Sequence, residues 1–363
     1  MGNSIGKLFM VTSFGESHGR CVGAVVDGCP AGLPIKEDEI QAELNRRKPQ
    51  ETAGGTARME EDRIEVLSGL FNGLTTGAPI CMLVWNKDTD SQAYDETRYK
   101  PRPGHADYVA AIKYGGYNDH RGGGRFSGRI TAGYVMAGAV ARKLLKTIGI
   151  DVLAHIVQIG GVKAKAKAFD EIIKNTDNNT VRCADTAAIK AMQEAIESAA
   201  KEGDSIGGVV EALAVNVPVG LGGPACDTLE GDLARALFAI PAVKGVEFGS
   251  GFSAAAMKGS EHNDPFEIRD NRIVTSTNNS GGISGGISNG MPIVARVAFK
   301  PAASIARSQQ TVDLRNMLPA ELAVRGRHDA CIVPRAEPVV EAMMAVTLCD
   351  HALAAGLIPG VIR

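Results

Sequence analysis

MVTSFGESHGRCVGAVVDGCPAG, residues 10–32, is the segment on which the reading of the fold turns. Its centre, GESHG, has the G-x-S-x-G spacing of a nucleophile elbow, where a serine sits on a sharp strand-to-helix turn deep in an α/β sheet. An elbow needs a sheet before it and a helix after it. Only fourteen residues precede Gly15, and RCVGAVVDGCPAG alternates as a strand does. The pattern therefore predicts strand, turn and strand around Ser17 and His18. A serine hydrolase using Ser17, with a later acid and histidine such as Asp329 and His351, stays open as the alternative.

Working outward, Glu37, Asp38 and Glu39 stand before Ile40 and Leu44, and Arg46-Arg47 follow. Acids in the first turn and bases in the last suit a short helix. RIEVLSGLFNGLTTGAPICMLVW (63–85) predicts strands joined by glycine turns. From Ile130 onward, Tyr134, Val140 or Ala141, Leu144 or Leu145, and Ile148 recur at helical spacing, and Gly149 stops the helix. Strands are expected at 150–162, 206–220 and 292–300, and helices at about 186–202 and 227–239. A last long helix is expected over Val339 to Ala355, with Pro338 at its first position. No fixed-period repeat or composition-biased linker divides the chain, so one mixed domain is favoured over two. Strands come in runs as well as alternating with helices, which argues for layers rather than a TIM barrel or doubly wound sheet.

The charge balance narrows the partners. Net charge is −2, so no overall field favours nucleic acid or an anionic membrane, and neither is expected as a partner. A small anionic ligand is not excluded. The seven cysteines are scattered with no C-x-x-C pair, which speaks against a zinc site or a disulfide framework. No metal is expected. The N-terminal segment lacks a long apolar run, and Met1-Gly2 has Gly6 where a myristoylation signal wants Ser or Thr. A cytoplasmic location is expected.

Against that neutral background, residues 98–129 are locally basic. Arg98, Lys100, Arg102, Lys113, Arg121, Arg125 and Arg129 face only Asp107 and Asp119. A charge run is ordinarily a solvated loop. Here it is interleaved with glycine, and GGGRFSGR offers backbone N–H groups, two arginine forks and a hydroxyl, the donors that phosphate or carboxylate requires. It is not a Walker A loop, since no G-K-[ST] follows. GRHDACIVPRAEPVVEAM (326–343) sets Asp329 between Arg327 and Arg335, an ion pair or a positioned base. NNSGGISGGISNGMPI (278–293) bares backbone, and FKPAASI (299–305) puts Lys300 and Ser304 at a strand end. Together these stretches suit a small, multiply anionic ligand, with histidines able to move a proton near neutral pH.

Taken in order, FGESHG, VDGCPAGLPI, VLSGLFNGLTTGAPI, RPGHAD, GGGRFSGR, AVKGVEFG, GGISGGISNG, FKP and GRHDACIVPRAEPVVEAM resemble the chorismate synthase family from end to end. The resemblance implies an α/β fold of the α+β type, a single-domain β-α-β sandwich (residues 1–363) with a central helical layer between antiparallel sheets, assembled as a homotetramer. It implies a lyase acting at the last step of the shikimate pathway, in aromatic amino acid biosynthesis: 5-enolpyruvylshikimate 3-phosphate loses phosphate and its C6 proton to give chorismate. Reduced FMN (FMNH2) is the implied cofactor, with NADPH as a source of reducing equivalents and an external flavin reductase as a partner. By the same resemblance His18 supplies a proton to the departing phosphate, His105 stands beside the flavin and Asp329 takes part in removing the C6 proton. The positions matching flavin contacts are Arg125, Phe126, Ser127, Pro241, Ala242, Gly285, Lys300, Pro301, Ala302, Ala303, Ser304 and Arg327. Those matching substrate arginines are Arg46, Arg47 and Arg129, and Ser17 is expected to line the flavin pocket.

The chain departs from the family pattern at Lys48, Gln50 and Ala53, at Phe126 and Ile130 in GRFSGRIT, and at Pro241 in place of a common Asn. None of these is His18, His105 or Asp329. A flavin- or anion-binding protein without catalysis, which would need neither histidine nor Asp329, stays open beside the hydrolase.

Overall fold

In the computed structural model, which describes residues 2–48, 61–87, 94–324 and 329–363, GESHG is the turn of a β-hairpin. Strand β1 is Ser4–Ile5, β2 is Met10–Gly15 and β3 is Cys21–Asp27. β3 returns antiparallel on β2, with Gly15 opposite Val22 and Met10 opposite Asp27. Every second residue of β3 (Val22, Ala24, Val26) is fully buried, which fixes its register against the core. No helix follows the motif, so the elbow geometry is absent.

Helix α1 (Glu37–Arg46) follows, its capping box closed by Glu39 on the Lys36 N–H at 2.9 Å. Then come β4 (Ile64–Ser68), the small hairpin β5 (Leu70–Phe71) and β6 (Leu74–Thr75), and β7 (Ile80–Trp85). The first sheet has the order β1-β2-β3-β7-β4, antiparallel throughout. Helix α2 is Asp107–Lys113 and α3 is Thr131–Thr147.

β8 (Asp151–Ile159) and β9 (Val162–Lys163) open the second sheet. α4 (Phe169–Asn175) and α5 (Ile189–Lys201) come next; the shorter α4 has no counterpart in the sequence-based expectation. After β10 (Gly208–Val215), α6 (Leu229–Phe238) and β11 (Val243–Phe248) come α7 (Gly259–His262) and the hairpins β12–β13 (Phe266–Arg269, Arg272–Thr275) and β14–β15 (Ile283–Ser284, Ile287–Ser288). β16 (Ile293–Phe299) completes a second antiparallel sheet of order β11-β16-β10-β8-β9. A last hairpin, β17 (Gln309–Asp313) with β18 (Leu318–Leu322), precedes α8 (Val333–Ala354).

The helices lie between the sheets. α3 packs on β2, β3 and β7, α8 packs on β8 and β10, and α3 and α8 pack on each other. With α1 beside α3 and α6 beside α8, the helical layer is two helices deep. The close α3–α8 crossing depends on Gly138, where a Cβ would stand 2.3 Å from that of Ala342. α8 is buried along almost its whole length, Glu337, Glu341 and Asp350 included. It begins six residues earlier than the sequence suggests: Pro334 occupies the first turn and Pro338 lies inside. Among the described residues no helix is long and apolar enough to cross a membrane.

A basic cleft between the hairpin turn, the glycine run and the start of the last helix

The glycine run decides where the two candidate histidines stand. Residues Arg121–Phe126 form a tight, kinked turn in which Gly122, Gly123 and Gly124 all take positive φ (58°, 82° and 52°). A side chain at Gly122 would fall 1.9 Å from His18 Nδ1 and 2.7 Å from Ser17 Oγ. One at Gly123 would meet His105 Cε1 at 3.0 Å. His18 and His105, remote in sequence, thus pack against successive members of one run. The Ser17 N–H donates to the Gly124 carbonyl at 3.3 Å, and Arg125 Nη1 donates to the Gly15 carbonyl at 3.1 Å, tying hairpin turn to glycine run. His18 is buried, edge-on to the Tyr94 ring with centroids 5.1 Å apart.

Beside this junction opens a cleft of about 620 Å³. Ser17, His105, Arg125 to Ile130, Pro241 and Ala242, Lys300 to Ser304, Arg47, Asp329 and Arg335 all line it. Its apolar wall comes from Phe238, Ile240, Ala302, Ile332, Ala336 and Val339. Six bases (Arg47, Arg102, Arg125, Arg129, Lys300, Arg335) face two carboxylates, Asp62 and Asp329, among the described lining residues.

Each basic group is held from behind. Arg129 pairs with Asp62, and its Nε donates to Asn86 Oδ1 at 2.9 Å. Arg47 Nε donates to Thr131 Oγ1 and its Nη2 to the Gly128 carbonyl, both at 2.8 Å. Arg335 Nη1 donates to Asp329 Oδ2 at 2.6 Å. Lys300 Nζ donates to the Gly104 carbonyl at 2.9 Å. Burial works against the charge on Arg47, and Arg335 and Arg129 close by add to the strain; Asp62 and Asp329 offset only part of it. The Lys300 ammonium is likewise pulled down by burial and by Lys244. A cleft whose cations crowd one another in a partly desolvated wall gains most from an anion.

Sequence reasoning passed over four contributors. Arg102 and Asp107 counted only as charge, although Asp107 stands two residues from His105 and bonds its Nδ1 at 2.7 Å. Asp62 and Tyr94 carried no pattern of their own. Conversely, Arg46 does not face the cleft. Its Nη1 donates to Glu341 at 2.8 Å and its Nη2 to Glu337 at 3.2 Å, both buried on α8. Gly285 sits at the turn of the β14–β15 hairpin, away from the lining residues. His120 borders a smaller cavity of about 230 Å³ behind His105. Arg327 and His328, with Gln50 and Ala53, lie outside the described residues.

A family model described as chorismate synthase matches residues 9–353. The chain belongs to the chorismate synthase family. A chorismate synthase of Dehalococcoides mccartyi is 60% identical over 363 residues, covering 100% of both chains. One of Korarchaeum cryptofilum is 55% identical over 96% of this chain and 97% of its own. One of Methanosarcina barkeri is 52% identical over 98% of each. A solved crystal structure of a chorismate synthase superposes with a TM-score of 0.76 at 31% identity, covering 96% of this chain and 93% of that one. Membership carries the α+β fold and a lyase assignment to this chain. It leaves no support for the hydrolase, whose elbow the β2–β3 hairpin already removes.

Proposed function

We propose that this chain converts 5-enolpyruvylshikimate 3-phosphate into chorismate and inorganic phosphate, with reduced FMN bound in the cleft, as the last step of the shikimate pathway. One observation carries the reading: a single cleft gathers six bases, an apolar wall, His105 and Asp329, with His18 packed just behind Gly122. The cleft volume lies within the roughly 300–1,000 Å³ of cofactor and ligand sites. The donor set suits flavin as well: the apolar wall fits a flat ring system, while Lys300, Ser304 and Arg125 fit a phosphate. Bound there, reduced FMN would lend an electron transiently and recover it once phosphate has left.

The remaining work falls to the chain itself. Arg47, Arg129 and Arg335 offer positive charge to a substrate with two carboxylates and a phosphate, and they are oriented by Thr131, Asn86 and Asp329. His18, beside Ser17 at the hairpin turn, donates a proton to the departing phosphate. Asp329, held in place by Arg335, accepts the C6 proton. His105 would stand beside the bound cofactor and exchange a proton with it through a ring nitrogen. Phe126, where a hydroxyl is common, contributes its ring, which leans on Tyr114 at 6.4 Å. We further infer one catalytic domain, a cytoplasmic homotetramer, and an external reductase that draws on NADPH.

The test is anaerobic: purified chain, photoreduced FMN and substrate, with phosphate and chorismate followed together. Equal release of both products is expected, and no product under reducing conditions would sink the reading. Ser17→Ala should retain turnover that His18→Ala loses; the opposite result would restore Ser17 as the reacting group.

A further inference from the structure

Arg102 is a buried guanidinium with every side committed. Its Nε donates to Asp107 Oδ2 at 2.8 Å and its Nη2 to Asp107 Oδ1 at 2.7 Å, a bidentate clamp. Its Nη1 donates to Ser304 Oγ at 2.9 Å, and its Cζ lies 5.7 Å from the centre of the Tyr94 ring. Asp107 Oδ1 is also 2.7 Å from His105 Nδ1, while Arg102 Nη2 is 3.0 Å from that nitrogen.

These contacts favour one tautomer over the other. A guanidinium only donates and an ionised carboxylate only accepts. A bare Nδ1 would set its lone pair against a carboxylate oxygen at hydrogen-bond distance. A protonated Nδ1 donates to Asp107 at 2.7 Å, the shorter of its two contacts, whereas a bare Nδ1 would take only the second N–H of Arg102 Nη2 at 3.0 Å and leave the carboxylate oxygen facing its lone pair. Burial opposes ionisation of Asp107, yet the hydrogen bonds from Arg102 and His105 overcome it and hold the carboxyl well below its ordinary range.

We propose that Asp107, clamped by Arg102, is the positioning residue that fixes the His105 ring and assigns its proton to Nδ1. That leaves Nε2, the nitrogen next to Gly123, as the position through which the ring exchanges a proton with the bound ligand. Arg102 joins this unit to Ser304 of the Lys300–Ser304 loop and, through Tyr94, to the ring of His18. Other charged groups near His105 are Lys300, which bonds the Gly104 carbonyl, and Arg98, Asp119 and His120 around the small cavity behind it. The inference rests on the role proposed above for His105, so its first readout is independent of turnover.

The experiment uses the full chain labelled with 15N-histidine and sedimented for magic-angle-spinning NMR near neutral pH. The His105 signals, among seven histidines, are identified by their loss in His105→Gln. A proton on Nδ1 is expected in the unmodified chain, in the neutral ring or in the imidazolium. Asp107→Asn should lose that preference and lower kcat by ~10- to 100-fold with KM changed less than about threefold, and Asp107→Glu should restore part of it. A bare Nδ1 in the unmodified chain overturns the proposal even if no variant folds. So does Asp107→Asn with the original tautomer and kcat within about twofold. A chain that shows the Nδ1 proton but makes no chorismate refutes the proposed function and leaves the positioning intact.

Discussion

Replacing Gly122 by alanine tests how the site is assembled. At φ 58° an L residue costs about 1–2 kcal/mol, a penalty independent of neighbours. The new methyl would also sit 1.9 Å from His18 Nδ1, about 1.5 Å inside ordinary contact, and 2.7 Å from Ser17 Oγ. His18 is buried and backed by Tyr94, so relieving the overlap moves the imidazole off its position at a cost of about 1–3 kcal/mol. The lower entropy of the unfolded chain returns about 0.4–1 kcal/mol. The net loss is ~1–5 kcal/mol. At about 2.1 cal/mol/K per residue, a 363-residue chain unfolds with an entropy of ~0.76 kcal/mol/K, so the melting temperature should fall by ~1–6 °C.

Activity should fall much further, because displacing a proton donor by about 1 Å costs ~100-fold. The control is Gly149→Ala. Its φ is 80° and a Cβ there meets nothing within 4 Å, so it carries the backbone penalty without the overlap. Differential scanning calorimetry and the anaerobic phosphate-release assay on both variants separate the two terms. If Gly122→Ala and Gly149→Ala retain activity within about threefold of each other, His18 is not held by the glycine run and the reasoning fails.

Three further outcomes are expected. Arg46→Met removes the cation shared by buried Glu341 and Glu337, leaving Arg142 beside the first and Arg182 beside the second, and should cost less than the ~3–5 kcal/mol of a fully orphaned buried charge, seen as a drop in melting temperature with KM unchanged in the survivors; a raised KM at unchanged stability would return Arg46 to the substrate. Burial pushes Glu337 up to about 8, with Arg46 and Arg182 opposing and Glu341 adding to the rise. The native state therefore keeps a proton that the unfolded chain gives up above about 4.5, so this contribution is complete below that pH and is lost as pH rises toward 8; Glu337→Gln should flatten the fall in melting temperature over that window. Asp329→Asn should still bind FMN in a fluorescence titration while turnover drops at least ~100-fold, and loss of binding would give Asp329 a structural role instead.

Much of the fold could be read from periodicity because the core depends on it. α1, α3 and α6 fall within two residues of their expected spans, since their buried faces repeat at helical spacing. α8 resisted at its start because it is buried all round, so no polar stripe marks where it begins, and Pro338 imitated a first-turn proline. In the site, residues with an intrinsic chemical signature were found: the histidines, the glycine run and Asp329. Asp107 and Tyr94 act only through what they touch, and contact across a turn or a hairpin leaves no spacing to detect.

Arg46 and Arg47 show where such reading stops. They are neighbours of the same charge at the end of α1, and a helix turns its side chains by about 100° per residue. Arg46 is therefore directed at Glu337 and Glu341 on α8, while Arg47 is directed at Thr131 and the cleft. The two contacts work together. Arg46 fixes α1 to the middle of α8, and Arg335, near the start of α8, donates from Nε to the Arg47 carbonyl at 3.4 Å. The Arg46 ion pairs thus brace the two elements that carry Arg47 and Arg335 into the cleft, without lining it themselves. Sequence identifies both arginines as important, but only the phase of the helix assigns one to holding the wall and the other to being the wall.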